Sequence, residues 1–345
     1  MSRAPCPLAG PDGYVTEGRW IVCRLSIIVP YLDENQPFED TLVSVLQNRP
    51  ADCEVVVVHR GGYADPYDLS DEVRFIQTDA GAGELQLLNA GLHQAGGQIL
   101  HVLQPGMVVC EGWADAASAH FQDPRVAAVS PLVLDATESE RVVSAGVRFT
   151  RGGCRIVHGA GVPRRQAERL VRQPILAPTW RAGFFLQTPL TALGGFYTQI
   201  DAEWADADLG LALKTLGFRC ELEVASVIHG AAVSPPSASA FESGRSAERV
   251  FWRYRREMGG LVSLIAHAGH VVGSAVSQLH RRETYAVLAG RLTAAREWSS
   301  YRSHRKRLRR LANGCLDSGG NRSGPDDDED SSAARSPKGR KRAAA

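Results

Sequence analysis

The N-terminal third of the chain alternates short apolar runs with segments in which apolar residues recur at helical spacing. The apolar runs are rich in β-branched residues and cover residues 25–30, 53–58, 73–77 and 98–103. The helical positions that share one face are Phe38, Leu42, Val45 and Leu46, followed by Leu85, Leu88 and Leu92. Strands that alternate with helices predict an α/β fold with a mostly parallel, Rossmann-like sheet flanked by helices. The ligand crevice of such a sheet lies beyond the carboxyl ends of its strands.

The remainder of the chain adds one more α/β block and then a different pattern. Residues 208–216 predict a helix that ends at Gly217, and residues 221–228 predict a closing strand. After a turn-rich stretch, residues 261–279 carry two stripes at helical spacing, which predicts an amphipathic helix. The apolar stripe consists of Leu261, Ile265, Ala268, Val272, Val276 and Leu279. The polar stripe consists of Ser263, His267, His270, Ser274 and Gln278, with both histidines expected in solvent.

These patterns divide the chain into four parts. We predict an N-terminal extension (1–24), an α/β domain (25–232), a helical extension that is amphipathic and basic (241–313) and a charged, disordered tail (314–345). The basic part of the extension contains Arg302, Arg305, Lys306, Arg307, Arg309 and Arg310. A basic amphipathic segment of this kind is typical of peripheral contact with a membrane surface, although packing on the α/β domain explains it equally well.

Composition narrows the class of protein but not its function. The 345 residues are 44% hydrophobic and 22% charged, and the formal net charge is +1, which gives no overall attraction to nucleic acid. Seven scattered cysteines indicate single thiols in a reducing compartment. Residues 1–18 lack the apolar core of a signal peptide, and no long apolar run predicts a membrane span. We therefore expect a cytoplasmic protein, with peripheral contact at the inner face of a membrane as a further hypothesis.

Several short segments occur together in an informative order and spacing. They are SIIVP at 26–30, TLVSVLQ at 41–47, NAG at 89–91, GW at 112–113, GGF at 194–196 and DADL at 206–209. Each segment alone is weak, but the ordered set over residues 25–232 resembles the family 2 glycosyltransferases. The resemblance implies a GT-A fold, a nucleotide-sugar donor, a divalent cation such as Mn²⁺ or Mg²⁺, and inversion at the transferred sugar. A cation would offset the negative charge of the departing diphosphate, and a carboxylate would take the acceptor's proton.

The resemblance also assigns roles to individual residues. It places Asp206 as the general base, Trp204 and Asp208 on the acceptor side, and the donor at Pro30, His59, Arg60, Gln104 and Gly106. We expect Asp206 to be a lone carboxylate that matters to activity and not to folding, although an acid at a helix start is the simpler interpretation. Arg60 is either a phosphate ligand or a solvated loop residue. Arg164 and Arg165 are expected to be exposed loop residues.

The acidic residues that this family uses for the nucleotide and the metal are mostly absent. His59 and Arg60 replace two acids after the second strand, and Gln104-Pro105-Gly106 replaces the acid-any-acid metal motif. Glycine offers no side-chain ligand, and glutamine offers no charge. We therefore expect no firmly held cation: His229, the remaining metal candidate, has no partner acids, and Arg60 is the nearest fixed positive charge in the sequence.

Three functions are compatible with this pattern. The first is a transferase that passes a sugar from a nucleotide-sugar to a carbohydrate or lipid-linked acceptor, with arginine and histidine in place of the metal. The second is a GT-A scaffold without turnover that binds a saccharide or a partner protein. The third is an interaction protein whose C-terminal third carries the function. Fold alone does not separate them, because function resides in the site.

Overall fold

The computed structural model describes residues 24–32, 37–63, 65–231 and 239–319, the last six without their side chains. The described strands are β1 (Leu25–Tyr31), β2 (Cys53–His59), β3 (Val73–Gln77), β4 (Ile99–Leu103), β5 (Val108–Val109), β6 (Val126–Asp135), β7 (Val142–Ser144), β8 (Val147–Phe149), β9 (Arg155–Val157), β10 (Ala182–Leu186) and β11 (Arg219–Gly230). Nine of them form one sheet in the order β3-β2-β1-β4-β10-β6-β11-β5, with β7 paired to β6, while β8 and β9 form a separate hairpin.

The described helices surround this sheet and extend beyond it. They are α1 (Phe38–Asn48), α2 (Glu84–Gln94), α3 (Trp113–Ser118), α4 (Glu168–Val171), α5 (Gln187–Leu193), α6 (Ala205–Thr215), α7 (Ala240–Tyr254), α8 (Leu261–Ser277), α9 (Arg282–Ala295) and α10 (Trp298–Gly319). The α/β architecture and the strands predicted in the N-terminal third are therefore confirmed. Most of the predicted extension (1–24) and tail (314–345) lies outside the described residues, as does the turn at 234–238. Helix α10 continues to Gly319, so the first residues of the predicted disordered tail are helical.

The central strands are apolar on both faces because helices cover both sides of the sheet. Ile27 and Val29 of β1 pack into a cluster with Phe38 and Val45 of α1. Ile28, which points the opposite way, packs into a second cluster that includes α2 and α6. Full burial of an aliphatic side chain contributes roughly 1.5–3 kcal/mol. A continuous apolar run, and not an alternating one, is therefore what a strand between two helical layers needs.

Strand direction brings several loops to one edge of the sheet. β1 pairs in parallel with β2 and β4, and β2 pairs in parallel with β3, so the carboxyl ends of these four strands lie together. β10 runs antiparallel to β4, with Ala182 opposite Leu103. The start of β10 therefore reaches the same edge as the end of β4. This edge is the crevice that the sequence predicts, with an additional strand entering from the opposite direction.

The C-terminal helices pack against α6 and against one another. α7 packs along α9 and also contacts α6 and α10. Arg253 of α7 forms an ion pair with Asp208 of α6 at 2.7 Å. His267 of α8, which we expected in solvent, is buried and stacks on Phe251 with ring centroids 3.6 Å apart. That expectation was wrong because a buried carboxylate on α7 provides a partner that helical spacing cannot reveal. None of the helices in the described ranges has the length and apolar character to cross a membrane.

Candidate functional site

His59 and Arg60 lie where β2 ends, at the carboxyl edge of the sheet. His59 is buried, and its Nδ1 accepts a hydrogen bond from the backbone N–H of Gly61 at 3.1 Å. Burial lowers the pKa of His59, so its ring is neutral at pH 7. Pro30 lies in β1 beside Val58 and is buried in the sheet. His59 therefore shapes the turn after β2 and supplies no fixed charge.

The loop after β4 is held by backbone contacts that need glycine. Gly106 has a φ of +85°, a conformation that glycine adopts without strain. Its N–H donates to the Oγ1 of Thr41 at 2.8 Å, and an added Cβ would meet Pro37 at 3.1 Å. The N–H of Gln104 donates to the carbonyl of Arg181 at 2.8 Å. This hydrogen bond places an arginine next to the position where the resemblance implies a metal-binding acid.

Arg60 and Arg181 are the cations of this edge. Within the described ranges, neither forms an ion pair with a carboxylate inside 4.0 Å. Burial lowers the pKa of Arg181, against the opposing charge of Glu84, but an arginine remains protonated at neutral pH. The sequence suggested Arg60 as the nearest positive charge to Gln104, and the backbone pairing instead brings Arg181 beside it.

Two buried N–H groups at the same edge have no acceptor. The Nε of Arg60 and the Nε2 of Gln104 are both buried without a hydrogen-bond partner. A buried donor without a partner costs about 1–3 kcal/mol, and more when the group is charged. An anion beyond the carboxyl ends of β2, β1 and β4 would accept hydrogen bonds from donors of this kind. The edge therefore has the chemistry of an anion site.

Glu84, at the start of α2, faces the two arginines. Burial raises the pKa of Glu84 to about 7, while Arg181 and Arg60 oppose the shift and Asp201 adds to it. The pKa of this carboxyl group therefore lies near neutral pH, above the usual range of a glutamate. When ionised, Glu84 offers negative charge to the same arginines that a bound anion would use. The two anions should compete for Arg181 and Arg60.

Replacing Glu84 with glutamine should remove a pH dependence of nucleoside diphosphate binding. Because the pKa of Glu84 is raised, its neutral form is favoured below pH 7, and its ionised form competes with phosphate above pH 7. The affinity of wild type for uridine or guanosine diphosphate should therefore fall between pH 6 and pH 8 relative to Glu84→Gln. Calorimetry at three pH values measures this difference, and the variant controls for protonation of the phosphate itself. Parallel pH profiles would contradict the role of Glu84.

Asp206 lies in the first turn of α6 and is not the lone carboxylate that the sequence suggested. Its oxygens accept hydrogen bonds from the Nε and an Nη of Arg155 at 2.8 and 2.6 Å. The N–H of Trp180 also donates to it at 3.3 Å. Burial alone would lower the pKa of Arg155, but Asp206 outweighs burial and raises it. Asp206 is therefore a buried member of a bidentate ion pair.

Glu203 is the carboxylate near this pair that keeps its oxygens available. It lies in the single helical turn before α6 and is half-buried. Within the described chain, its side chain forms no ion pair inside 4.0 Å. Burial raises the pKa of Glu203, Arg155 lowers it, and Asp201 and Asp206 raise it further. A carboxylate with a raised pKa and no partner is better suited to accept a proton than one clamped by arginine.

Asp208 and Trp204 have different surroundings from Asp206. Residues two apart on a helix point in different directions, so Asp206 and Asp208 do not converge. Asp208 is buried against Arg253, and burial raises its pKa while Arg253 opposes the change. Asp208 and Arg253 line a cavity of about 440 Å³ between α6 and α10. Trp204 is half-buried in the turn beside Glu203. Of the two acids predicted on α6, neither is free.

His229 lies on β11 next to the loop after β4. It pairs with Val108 of β5, and the following Gly230 approaches Met107 so closely that an added Cβ would clash with it. His229 therefore lies near the loop that contains Gly106 and Met107, and its assignment as a metal candidate stays a prediction. Arg164 and Arg165 are exposed, as expected.

Comparison with solved structures identifies the architecture. The chain is similar to the crystal structure of GalNAc-T7 with UDP, GalNAc and Mn²⁺, with a TM-score of 0.54 and 13% sequence identity. The fold is GT-A. The match covers 68% of this chain and 49% of that one, so this chain spans about half the length of the GalNAc-T7 chain. At this identity the likeness concerns the fold alone.

A second solved structure with some similarity is the mannosyltransferase PcManGT from Pyrobaculum calidifontis in complex with GDP-Man and Mn²⁺. Its TM-score is 0.48 at 18% identity, with 92% of this chain and 90% of that chain covered, and this score adds nothing to the GT-A assignment. No protein-family model and no curated protein sequence matches the chain. The resemblance to family 2 therefore stays at the level of the GT-A fold.

The residues at the implied metal position of this GT-A fold do not fit a divalent cation. Gln104 has a buried amide nitrogen without an acceptor, Gly106 has no side chain, and the backbone of Arg181 is bonded to the loop. No group of three or more histidine, cysteine or acidic side chains arranged to hold a metal occurs in the described ranges. Divalent metals prefer anionic oxygen or neutral imidazole ligands, and the side chains of Gln104, Pro105 and Gly106 offer neither.

Sequence reasoning missed four residues of this site. Arg155, Arg181, Glu84 and Glu203 belong to no family motif that we identified. Arg181 could have been suspected, because it precedes the strand at 182–186. Its pairing with Gln104 depends on the antiparallel register of β10 and β4, which the sequence does not specify. Arg155 and Asp206 are 51 positions apart in the sequence, and no local pattern predicts that their side chains are in contact.

Proposed function

We propose that this protein binds a nucleotide-sugar at the carboxyl edge of its sheet and transfers the sugar without a bound metal. The observation that supports the proposal most strongly is the pair of buried, unpaired donors on Arg60 and Gln104, together with the positive charge of Arg181, which forms no ion pair inside 4.0 Å within the described ranges. A diphosphate carries negative charge that such donors can bind through charge-assisted hydrogen bonds. Fixed positive charge opposite the leaving group stabilises it in the transition state, whether a metal or a side chain supplies it.

The transfer step assigns roles to the residues of the site. An acceptor hydroxyl oxygen forms a bond to the anomeric carbon of the donor sugar, and the bond from that carbon to the diphosphate oxygen breaks. The electron pair leaves on the diphosphate, facing Arg60 and Arg181. The hydroxyl proton passes to Glu203, whose raised pKa suits a general base at neutral pH. Attack from the side opposite the leaving group inverts the anomeric centre.

In this proposal Asp206 positions the site and does not accept the proton. Its carboxylate holds Arg155 and the N–H of Trp180, the residue before Arg181. The carbonyl of Arg181 in turn accepts from Gln104. Two hydrogen bonds, joined through the peptide bond between Trp180 and Arg181, therefore link α6 to the loop after β4. Loss of Asp206 would disturb the position of Arg181 as well as the fold.

A calorimetric panel tests the proposal. Uridine and guanosine diphosphates, and the corresponding nucleotide-sugars, are titrated in EDTA and in manganese. We expect binding of at least one diphosphate in EDTA, with little gain from manganese. Binding that requires manganese would contradict the metal-free site. Release of diphosphate from a bound nucleotide-sugar in the presence of sugar acceptors would then measure transfer.

The alternative is a GT-A scaffold without turnover, and one observation favours it. The acid in the position that the resemblance gives to the general base is neutralised by Arg155. A protein of this kind would bind a nucleotide or saccharide and release no product. Diphosphate binding in EDTA together with no transfer to any acceptor would support the scaffold.

A further inference from the structure

Helix α8 presents its apolar side to solvent and its polar side to the protein. Its 17 residues include no aspartate, glutamate, lysine or arginine. Ser263 and His267 are its buried residues, whereas Leu261, Ile265 and Val276 are 71%, 67% and 69% exposed. A surface helix of a globular protein normally has the opposite orientation. Within the described ranges, no segment covers the apolar face.

Polar contacts fix this orientation. His267 Nδ1 lies 2.7 Å from the carbonyl of Gly152, and its Nε2 lies 3.1 Å from both carboxylate oxygens of Glu248. Burial alone would raise the pKa of Glu248, but His267 and Arg291 outweigh it and lower the pKa, so the carboxylate is ionised. Turning α8 over would break these buried bonds and leave Glu248 with fewer partners. The exposed apolar face is thus a stable property of the fold.

The exposed apolar face runs along α8. It comprises Leu261, Val262, Ile265, Val272, Val276 and Leu279 on and just after α8. At 1.5 Å per residue, α8 alone extends for about 25 Å. Contiguous apolar patches of this extent mark interaction sites.

Basic residues border this face at both ends. Arg256 precedes α8, and Arg281 and Arg282 follow it, all three exposed and without an ion pair inside 4.0 Å to any carboxylate of the described ranges. Burial and the nearby charges of Arg256, Arg255, Arg302 and Arg309 lower the pKa of Arg305 on α10. Because these guanidinium groups influence one another, the start of α8 adjoins a basic cluster and not isolated arginines.

We propose that this face binds the surface of an anionic lipid bilayer. An uncharged apolar helix with arginines at its ends fits the boundary between acyl chains and phosphate headgroups, where the apolar side chains enter the bilayer and the arginines meet lipid phosphates. A second copy of the chain fits less well, because it would bring a second set of the same arginines to the interface. This proposal is independent of the donor site.

Vesicle cosedimentation of the full chain tests the proposal. We expect binding to vesicles of equimolar phosphatidylcholine and phosphatidylglycerol, and much weaker binding to phosphatidylcholine alone. Ile265→Glu/Val272→Glu should reduce partitioning at least tenfold, because both side chains are exposed and the change puts charge on the apolar face. Arg256→Ala/Arg282→Ala should reduce it by about fivefold for each arginine.

Matched variants distinguish binding through this face from non-specific binding to vesicles. Val43→Glu alters another exposed apolar residue, on α1, and Arg74→Ala/Arg165→Ala removes two exposed arginines elsewhere. Both controls should bind vesicles as wild type does, and circular dichroism should show unchanged folding for every variant. Equal loss in the controls would overturn the proposal. So would a dimer in sedimentation velocity that Ile265→Glu/Val272→Glu dissociates, with no vesicle binding by wild type.

Discussion

Replacing Arg155 with methionine should lower the free energy of unfolding by about 3–5 kcal/mol, because it leaves the buried Asp206 carboxylate without its partner. The side chain of Asp206 is fully buried, and that of Arg155 is 14% exposed. One N–H, from Trp180, would remain as a hydrogen-bond donor to Asp206 among the bonds described above. Urea denaturation at pH 7 measures the change, and it should exceed the effect of any single surface substitution.

Two comparisons isolate the ion pair. Arg141→Met breaks the exposed pair with Glu138, whose side chains are 58% and 68% exposed, and should cost less than about 1 kcal/mol. Arg155→Met/Asp206→Leu removes both charges and should recover most of the lost stability, since apolar replacement of a buried pair is often neutral. If Arg155→Met were as mild as Arg141→Met, Asp206 would be solvated, and its assignment as a positioning residue would fail.

Glu203→Gln should reduce sugar transfer by about 10²–10⁴-fold, the usual contribution of a general base. The substitution preserves size and removes only the ability to accept a proton, so diphosphate affinity and melting temperature should stay close to wild type. The rate of diphosphate release in the presence of an acceptor measures the effect. Its pH profile in wild type should show a group with a raised pKa, in the direction that burial imposes on Glu203.

Glu221→Gln provides a control for this substitution, because Glu221 is a partly exposed carboxylate that pairs with Arg219 on β11. It should leave transfer unchanged. If the Glu203→Gln variant retained full activity, a residue other than Glu203 would be the general base. A variant that lost diphosphate affinity as well would show that Glu203 shapes the donor site and does not act only on the proton.

The strands of the N-terminal third could be predicted because each is an apolar run whose period is local. Their alternation with helices predicted the α/β sheet, the resemblance to family 2 glycosyltransferases implied GT-A, and the solved structure with the higher TM-score supports that fold. The site was harder, because its chemistry depends on residues that meet through register and packing. Arg181 reaches Gln104 only through the β10–β4 pairing, and Asp206 acquires Arg155 from the β8–β9 hairpin.

Helix α8 is a second case in which a local sequence pattern could not predict a contact between residues distant in sequence. The sequence shows two stripes on this helix, but it does not show which of them is buried against the protein. Glu248, 19 positions from His267, makes the polar side the buried one. Periodicity identifies faces, whereas partners distant in sequence decide which face the protein covers. The sequence likewise shows that residues 104 and 106 are not acids. It does not show that Arg181 pairs with Gln104.

The most direct test of the account is the binding of nucleoside diphosphate in EDTA to wild type, Arg181→Ala and Arg165→Ala. Arg165 is an exposed arginine outside the crevice and controls for the loss of one charge. We predict that Arg181→Ala weakens binding by about tenfold to a hundredfold, as expected for a hydrogen bond to a charged group, and that Arg165→Ala binds as wild type does. Equal affinities for all three proteins, or binding that appears only with manganese, would contradict the metal-free diphosphate site.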